Sequence, residues 1–180
     1  MRNTLTLAIA TIALAACGSS SDADTDGDGT VSADEVEAAA AKVKPLEAGE
    51  YKMNLELVEL VDPSMSESDV AKAKEFMGAM ANAAPARCLT EEEASKGMIG
   101  IAEQMQNGDC TMDSLTSDAD GMQAAMTCKA GEGEAKITID SQSTGTASEM
   151  TMTAVEPVAS SEETKRVTMK VGMTRTGDCT

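Results

Sequence analysis

The 180-residue chain contains no histidine and no tryptophan, and it has a single tyrosine, Tyr51, and a single phenylalanine, Phe76. Without histidine it can form neither a Ser-His-Asp nor a Cys-His catalytic arrangement, and it has no imidazole to bind a metal. Paired carboxylates could hydrolyse glycosides, but without tryptophan there is no obvious platform for a sugar. We therefore predict that the protein is not an enzyme.

Positive charge is also scarce, because 14 Lys and Arg residues stand against 31 Asp and Glu residues, a net charge of −17. Nucleic-acid binding requires clustered basic side chains, so we predict no nucleic-acid partner. The acidic balance favours cations and basic partners. Because aromatic side chains usually dominate core burial, this core must be built from aliphatic residues and from some of the 14 methionines.

The first 17 residues, MRNTLTLAIATIALAAC, combine Arg2 with an apolar run that is too short to span a bilayer. This pattern is typical of a secretory signal peptide. The ending Leu14-Ala15-Ala16-Cys17 resembles a bacterial lipoprotein box, in which the cysteine is lipidated and becomes the N-terminus. The alternative is an ordinary signal peptide cut after Ala16. With Gly18 next in the chain, we predict an outer membrane lipoprotein that faces the periplasm or the cell surface and contacts the membrane through its N-terminal lipid.

An exported chain with four further cysteines is expected to contain two disulfides, for which three pairings exist. A metal site of four thiolates is disfavoured because the chain has no C-x-x-C pair. Cys110 and Cys128 lie nearly symmetrically about the turn at Asp118–Gly121, so we predict that they pair across a hairpin. This leaves Cys88 to pair with Cys179.

Three segments follow from composition. Residues 1–16 are the signal peptide, 17–45 are a lipidated tether with an acidic loop and a short helix, and 46–180 are a disulfide-stapled domain. The flexible part of the tether is GSSSDA, residues 18–23. The helix covers Asp34 to Lys44 and stops before Pro45.

Alternation of apolar and polar residues predicts the strands of the domain. In the first strand the inward side chains are Tyr51, Met53, Leu55 and Leu57. From Cys110 onward the period is again two, and turn residues separate the apolar sets. These sets are Met122, Ala124, Met126 and Cys128; Ile137 and Ile139; Met150, Met152 and Ala154; and Val167, Met169, Val171 and Met173.

Two helices are predicted between the first strand and Cys110, each preceded by a capping box. The box Ser66–Asp69 precedes a face formed by Val70, Ala73, Met77 and Met80. The box Thr90–Glu93 precedes a face formed by Ala94, Met98, Ile101 and Met105. The predicted fold class is therefore α+β: an antiparallel meander of about six strands, two helices inserted after the first strand, two disulfides and an N-terminal tether.

Several short motifs resemble a family of small exported bacterial proteins of unknown function. They are Gly49-Glu50-Tyr51 at the first strand, Arg87-Cys88-Leu89-Thr90 at a helix start, and the closing Thr176-Gly177-Asp178-Cys179. The resemblance covers roughly Leu46 to Thr180, with Tyr51 standing where many members have tryptophan. It implies the same fold and cysteines, and it brings no activity or catalytic residue with it.

The segment DTDGDGTVSADE, Asp24–Glu35, fits the 12-residue calcium loop of an EF-hand at every position. Gly29 falls at the sharp turn, and Val31 at the apolar eighth position. An acidic linker is the alternative, but a linker has no reason to place these residues and Glu35 in register. The predicted ligands are the carboxylates of Asp24, Asp26, Asp28 and Glu35, the backbone carbonyl of Thr30, and Ser32 acting through water.

Only the exit helix accompanies this loop, so we call it a half EF-hand. Because nothing in the sequence pre-orders the incoming side, we expect a weak site, with a dissociation constant of about 10⁻⁴–10⁻³ M. Calcium would fold a self-repelling acidic stalk into a compact one. The sequence thus predicts a calcium-binding envelope lipoprotein that acts as a non-enzymatic binding or structural module. Alternatives are a periplasmic carrier of an apolar ligand on a Met-lined face and an envelope assembly factor that binds a basic partner.

Overall fold

The computed structural model describes residues 21–94, 96, 110–131, 133–158 and 162–179. Its strands form one antiparallel sheet in the order β1-β4-β5-β6-β7-β8-β2-β3. The helices are α1 (Ala33–Ala40) and α2 (Glu67–Ala83). The strands are β1 (Ser21–Asp22), β2 (Gly49–Val61), β3 (Arg87–Leu89), β4 (Cys110–Ser117), β5 (Gly121–Ala130), β6 (Gly133–Ser143), β7 (Ala147–Pro157) and β8 (Thr164–Gly177).

Apolar side chains share one side of this sheet, as the alternating sequence predicts, because residues opposite one another in neighbouring strands point to the same side. Met126 lies opposite Ile137, and Ile139 lies opposite Met152. The other side of the sheet is polar, with bonds such as that between the Thr153 and Thr168 hydroxyls. We call the apolar side the methionine face, and its residues include Met112, Met126, Ile137, Ile139, Met152, Met169 and Leu57.

Two buried clusters lie on the sheet. The larger one joins β4, β5 and β6 to α1 and the loop before it. The smaller one contains Tyr51, Leu89 and Ala94, with Leu46 and Met173 packed against it. The Tyr51 hydroxyl donates a 2.8 Å hydrogen bond to the backbone carbonyl of Glu47. The single tyrosine is thus satisfied within the core, as a buried phenol requires.

Helix α2 begins after Ser66, whose side chain accepts a hydrogen bond from the Asp69 backbone N–H. Two of the predicted inward methionines are largely exposed, Met80 by 58% and Met53 by 41%. Met80 is turned outward because Ala81, the next residue of the helix, is the buried one. Met53 shares its sheet face with Met173 but belongs to neither buried cluster.

The strand count of about six is close to the observed sheet, which has two additional very short strands. β1 lies within the predicted flexible tether, and β3 separates α2 from the second predicted helix, so the two helices do not follow one another directly. Two or three residues are too few to show a period of two. Of the second helix, residues 91–94 and 96 are helical, whereas Met98, Ile101 and Met105 lie outside the described residues. The predicted helix 34–44 is shorter as observed, because α1 ends at Ala40 and a turn follows.

Both predicted disulfides are present. Cys110 and Cys128 are directly opposite in β4 and β5, with their Cα atoms 3.9 Å apart. Cys88 in β3 is bonded to Cys179 after β8, with a Cα separation of 5.5 Å. Among the described residues, no helix is both long and apolar enough to cross a membrane.

Candidate metal centre

Three aspartates of the predicted calcium loop converge. Asp24, Asp26 and Asp28 each place a carboxylate oxygen so that the three ligand atoms lie within 4.8 Å of one another. Asp24 is partly buried, whereas Asp26 and Asp28 are exposed. Carboxylate oxygens are the ligands that Ca²⁺ prefers in proteins, and alternate loop positions supply them in an EF-hand.

The loop folds this way because each carboxylate also accepts backbone N–H groups. The two oxygens of Asp24 accept from Gly27 at 2.7 Å and from Gly29 at 3.1 Å. Asp28 accepts from the Thr30 N–H at 2.8 Å. Gly29 has a φ of 86°, a left-handed conformation that glycine adopts at little cost. The sharp turn predicted at this glycine is therefore observed.

Glu35 closes the loop from α1. Its Oε1 accepts hydrogen bonds of 2.6 Å from both the backbone N–H and the hydroxyl of Thr25, and its Oε2 accepts 3.0 Å bonds from the N–H and the hydroxyl of Ser32. The Thr25 hydroxyl makes the largest contribution to lowering the pKa of the Glu35 carboxyl, which falls from 4.5 to about 2. Among the described residues, the carboxylates grouped within 4.8 Å are the three aspartates alone, so Glu35 is held beside this group rather than within it.

The depressed pKa of Glu35 predicts a pH-dependent stability. Its contribution is complete above about pH 4.5, the value in the unfolded chain, and is lost as the pH falls towards about 2. Glu93, whose pKa is lowered to about 2 chiefly by the Thr90 backbone N–H, should behave in the same way. Urea unfolding at a series of pH values should show a shallower acid loss for Glu35→Gln than for the unsubstituted chain. An equal acid loss in both would contradict the prediction.

The expectation that nothing orders the incoming side of the loop is wrong. β1 pairs with β4, where Ser21 is opposite Ser117 and Asp22 is opposite Thr116. The Ala23 N–H then donates to the Leu115 carbonyl at 2.8 Å. A short strand that is paired with β4 therefore leads into the acidic loop.

The apolar eighth position of the loop is also anchored. The Val31 N–H donates to the Met112 carbonyl at 3.2 Å, and the Val31 side chain is buried in the larger cluster. The loop is thus pinned to β4 both before and after its acidic turn. Because these are contacts between distant parts of the chain, the local pattern of the loop could not reveal them.

Two other predicted ligand residues, Thr30 and Ser32, are hydrogen-bonded to carboxylates of the predicted ligand set. The Thr30 hydroxyl donates to Asp28 at 2.8 Å, and the Ser32 hydroxyl is bonded to Glu35. Thr25, which holds Glu35, was not among the predicted residues, because position 2 of such a loop supplies no ligand. The predicted lipidation site, Cys17, lies outside the described residues.

A single disulfide-stapled antiparallel sheet with flanking helices defines the class of this protein. The chain belongs to a family described as protein of unknown function (DUF3617), whose sequence model matches residues 44–179. No curated protein and no solved structure matches the chain. The match confirms the resemblance to a family of unknown function. It begins just after α1, so the acidic loop and α1 lie outside the matched residues.

Proposed function

We propose that this protein is a calcium-binding envelope lipoprotein that acts as a non-enzymatic binding or structural module. The observation that carries the proposal is the convergence of Asp24, Asp26 and Asp28 in a loop whose entry and exit are both attached to folded structure. An acidic linker would keep its carboxylates apart to reduce their mutual repulsion.

The remaining ligands would come from groups next to the three aspartates. Glu35 would exchange its Thr25 bonds for calcium, the Thr30 carbonyl would supply a neutral oxygen, and Ser32 would act through water. The bound cation would balance four carboxylates at once. Because β1 and Val31 already order the loop, we expect tighter binding than the 10⁻⁴–10⁻³ M range of weak extracellular sites.

Calorimetry tests this site on a soluble chain that begins at residue 17 and carries Cys17→Ser. We expect a dissociation constant below about 10⁻⁴ M, and binding at least about tenfold weaker for Glu35→Gln, which loses the bidentate carboxylate. Glu37→Gln is the matched control, because Glu37 is an exposed residue of the same helix outside the ligand set. If millimolar calcium gives no heat, or if Glu35→Gln binds as tightly as the unsubstituted chain, the loop is only acidic structure.

The proposal includes a lipid anchor at Cys17. If this residue is lipidated, Cys17→Ser should release the protein from the membrane fraction or block its processing, because the acyl chains supply the membrane affinity. Fractionation followed by immunoblotting measures the outcome. A correctly processed Cys17→Ser protein that stays in the membrane fraction would contradict the anchor.

The anchor would hold the domain closer to the bilayer than a flexible stalk of residues 18–23 would allow. β1 starts at Ser21, so four Cα–Cα steps separate it from Cys17 and span at most about 15 Å. The β1 edge of the sheet would therefore lie beside the membrane. A change in calcium would act on this docked edge rather than on the length of a stalk.

The packing of the sheet distinguishes two other candidate functions, a carrier of an apolar ligand and a module that binds a basic partner. An apolar-ligand carrier would use the methionine face, but the β4–β6 part of that face is filled by side chains of α1 and the preceding loop. An open pocket of about 540 Å³ near the β4–β5 turn is formed mostly by polar residue types, among them Asp118, Asp120, Gln123 and Asp140. The second candidate is therefore a module that binds a basic partner protein.

A further inference from the structure

Two parts of the molecule pack against each other in the larger cluster. The cover is residues 21–43, comprising β1, the acidic loop, α1 and the turn after it. The docking face is the part of the methionine face beneath it. The cover contributes Ala23, Val31, Val36, Ala39 and Val43 to the larger cluster, and the docking face contributes Leu115, Met122, Ala124, Met126 and Ile139, with Met112, Ile137, Met150 and Met152 partly buried against them.

We propose that the docking face is an interaction surface for a basic amphipathic helix of a partner protein, and that the cover is a built-in occupant which this helix replaces. The cover itself displays the chemistry that the surface accepts. The buried α1 residues Val36, Ala39 and Ala40, followed by Val43, have the spacing of one helical face. They are small or β-branched, so the helix backbone can lie close to the sheet.

The docking face lies within the residues that match the family, whereas the cover does not. Residues 44–179 contain all of the docking face, whereas the cover lies entirely outside them. The apolar surface thus belongs to the family domain, and the helix on it belongs to the additional N-terminal segment. Methionines suit such a surface, because their flexible side chains repack around different partners.

Charge favours replacement by a basic helix. The cover carries seven acidic residues and one basic residue, and the whole chain has a net charge of −17. The cover is therefore negatively charged, and so is the chain as a whole. A partner helix with lysine or arginine on its outer side would bind the same apolar surface without this repulsion.

The attachments of the cover suit a unit that opens as a whole. Its backbone bonds to the sheet run through β1, Ala23 and Val31, and the Lys44 N–H donates to the Ala119 carbonyl at its end. α1 has eight residues, fewer than an isolated helix needs to be stable in water. Detachment of the cover from β4 would therefore melt α1 as well.

Hydrogen exchange on the Cys17→Ser chain without calcium is the first test. The amides of Ala23, Val31 and Val36, which are bonded at 2.8, 3.2 and 3.0 Å, should exchange together and at least about tenfold faster than the protected amides of β5 and β6. Exchange at the same rate as β5 and β6 would overturn the proposal, because the cover would then open only on global unfolding.

A peptide in trans is the second test. The probe is a fluorescent peptide with the sequence of residues 31–44 in which the exposed Asp34 and Glu37 are replaced by lysine. It should bind a chain carrying Val36→Asp, which detaches the cover, at least about tenfold more tightly than it binds the unsubstituted chain. The same peptide with Val36→Asp is the control and should not bind.

Two results would overturn the proposal. The first is equal binding of the probe to both chains. The second is no binding to a Val36→Asp chain that keeps both disulfides and the circular dichroism spectrum of its sheet. If that variant does not fold, the exchange experiment decides alone. A link to calcium rests on the proposed function: calcium should slow exchange of the cover. If the cover exchanges fast and calcium does not slow this exchange, the calcium function is contradicted, whereas the proposed interaction surface is not.

Discussion

Removal of the Cys88–Cys179 bridge is expected to lower the free energy of unfolding by about 4–5 kcal/mol. The two cysteines are separated by 91 residues, and a cross-link across so long a loop strongly restricts the unfolded chain. Both residues are exposed, so Cys88→Ala with Cys179→Ala removes the cross-link while disturbing little buried packing. Urea denaturation of this double variant measures the loss.

The second bridge offers a comparison of a different kind. Cys110 and Cys128 are 18 residues apart, so the same entropic argument gives about 3 kcal/mol. Both also pack in or against the larger cluster, so their replacement by alanine adds a loss of packing. A loss below about 1 kcal/mol for the exposed Cys88–Cys179 pair would show that the long loop is not what this bridge constrains.

Leu115→Ala is expected to lower the free energy of unfolding by about 2–5 kcal/mol. Leu115 has 0% of its surface exposed and lies in the larger cluster, so truncation leaves a cavity that the surrounding side chains can fill only in part. The free energy of unfolding of a domain is only about 5–15 kcal/mol, so this single change would remove a large part of the stability. Thermal and urea unfolding both measure it.

Val61→Ala is the matched control for this substitution, since Val61 is an apolar strand residue that is 47% exposed. We expect its effect to lie within about 0.5 kcal/mol. Equal losses for the two variants would mean that the cluster around Leu115 is not the stabilising core. The comparison therefore separates burial from the general effect of shortening a side chain in a strand.

Local patterns in the sequence predicted much of the sheet. From Cys110 onward, a period of two grouped the apolar residues within each strand, and the groups that contain Met126, Ile137 and Met152 lie on the same side of the sheet. The hairpin turn near Asp118 brought Cys110 and Cys128 together as expected. Such features succeed because neighbouring residues determine them, and a hairpin joins strands that are close in sequence.

Contacts between distant segments were not predictable in this way. β1 has two residues, too few for any periodicity, and its partner β4 begins almost ninety residues later. The sequence therefore presented residues 18–23 as a flexible tether. The grouping of acidic residues at alternate positions, in contrast, could be seen in the local sequence, and the carboxylates of Asp24, Asp26 and Asp28 lie together in the structure. What the loop packs against, and the role of Thr25, depended on the folded chain.

The two edges of the sheet have a consequence for the molecule in concentrated solution. An open edge strand offers unpaired backbone groups to which another copy can bind, and this is the first step towards fibres. On one side, β1 and the Ala23 and Val31 amides occupy carbonyls of β4. On the other, β3 pairs with the start of β2, and Lys74 of α2 donates to the Val58 carbonyl further along. Short segments of the same chain thus cover part of each edge, and there they oppose growth of the sheet by addition of a second molecule.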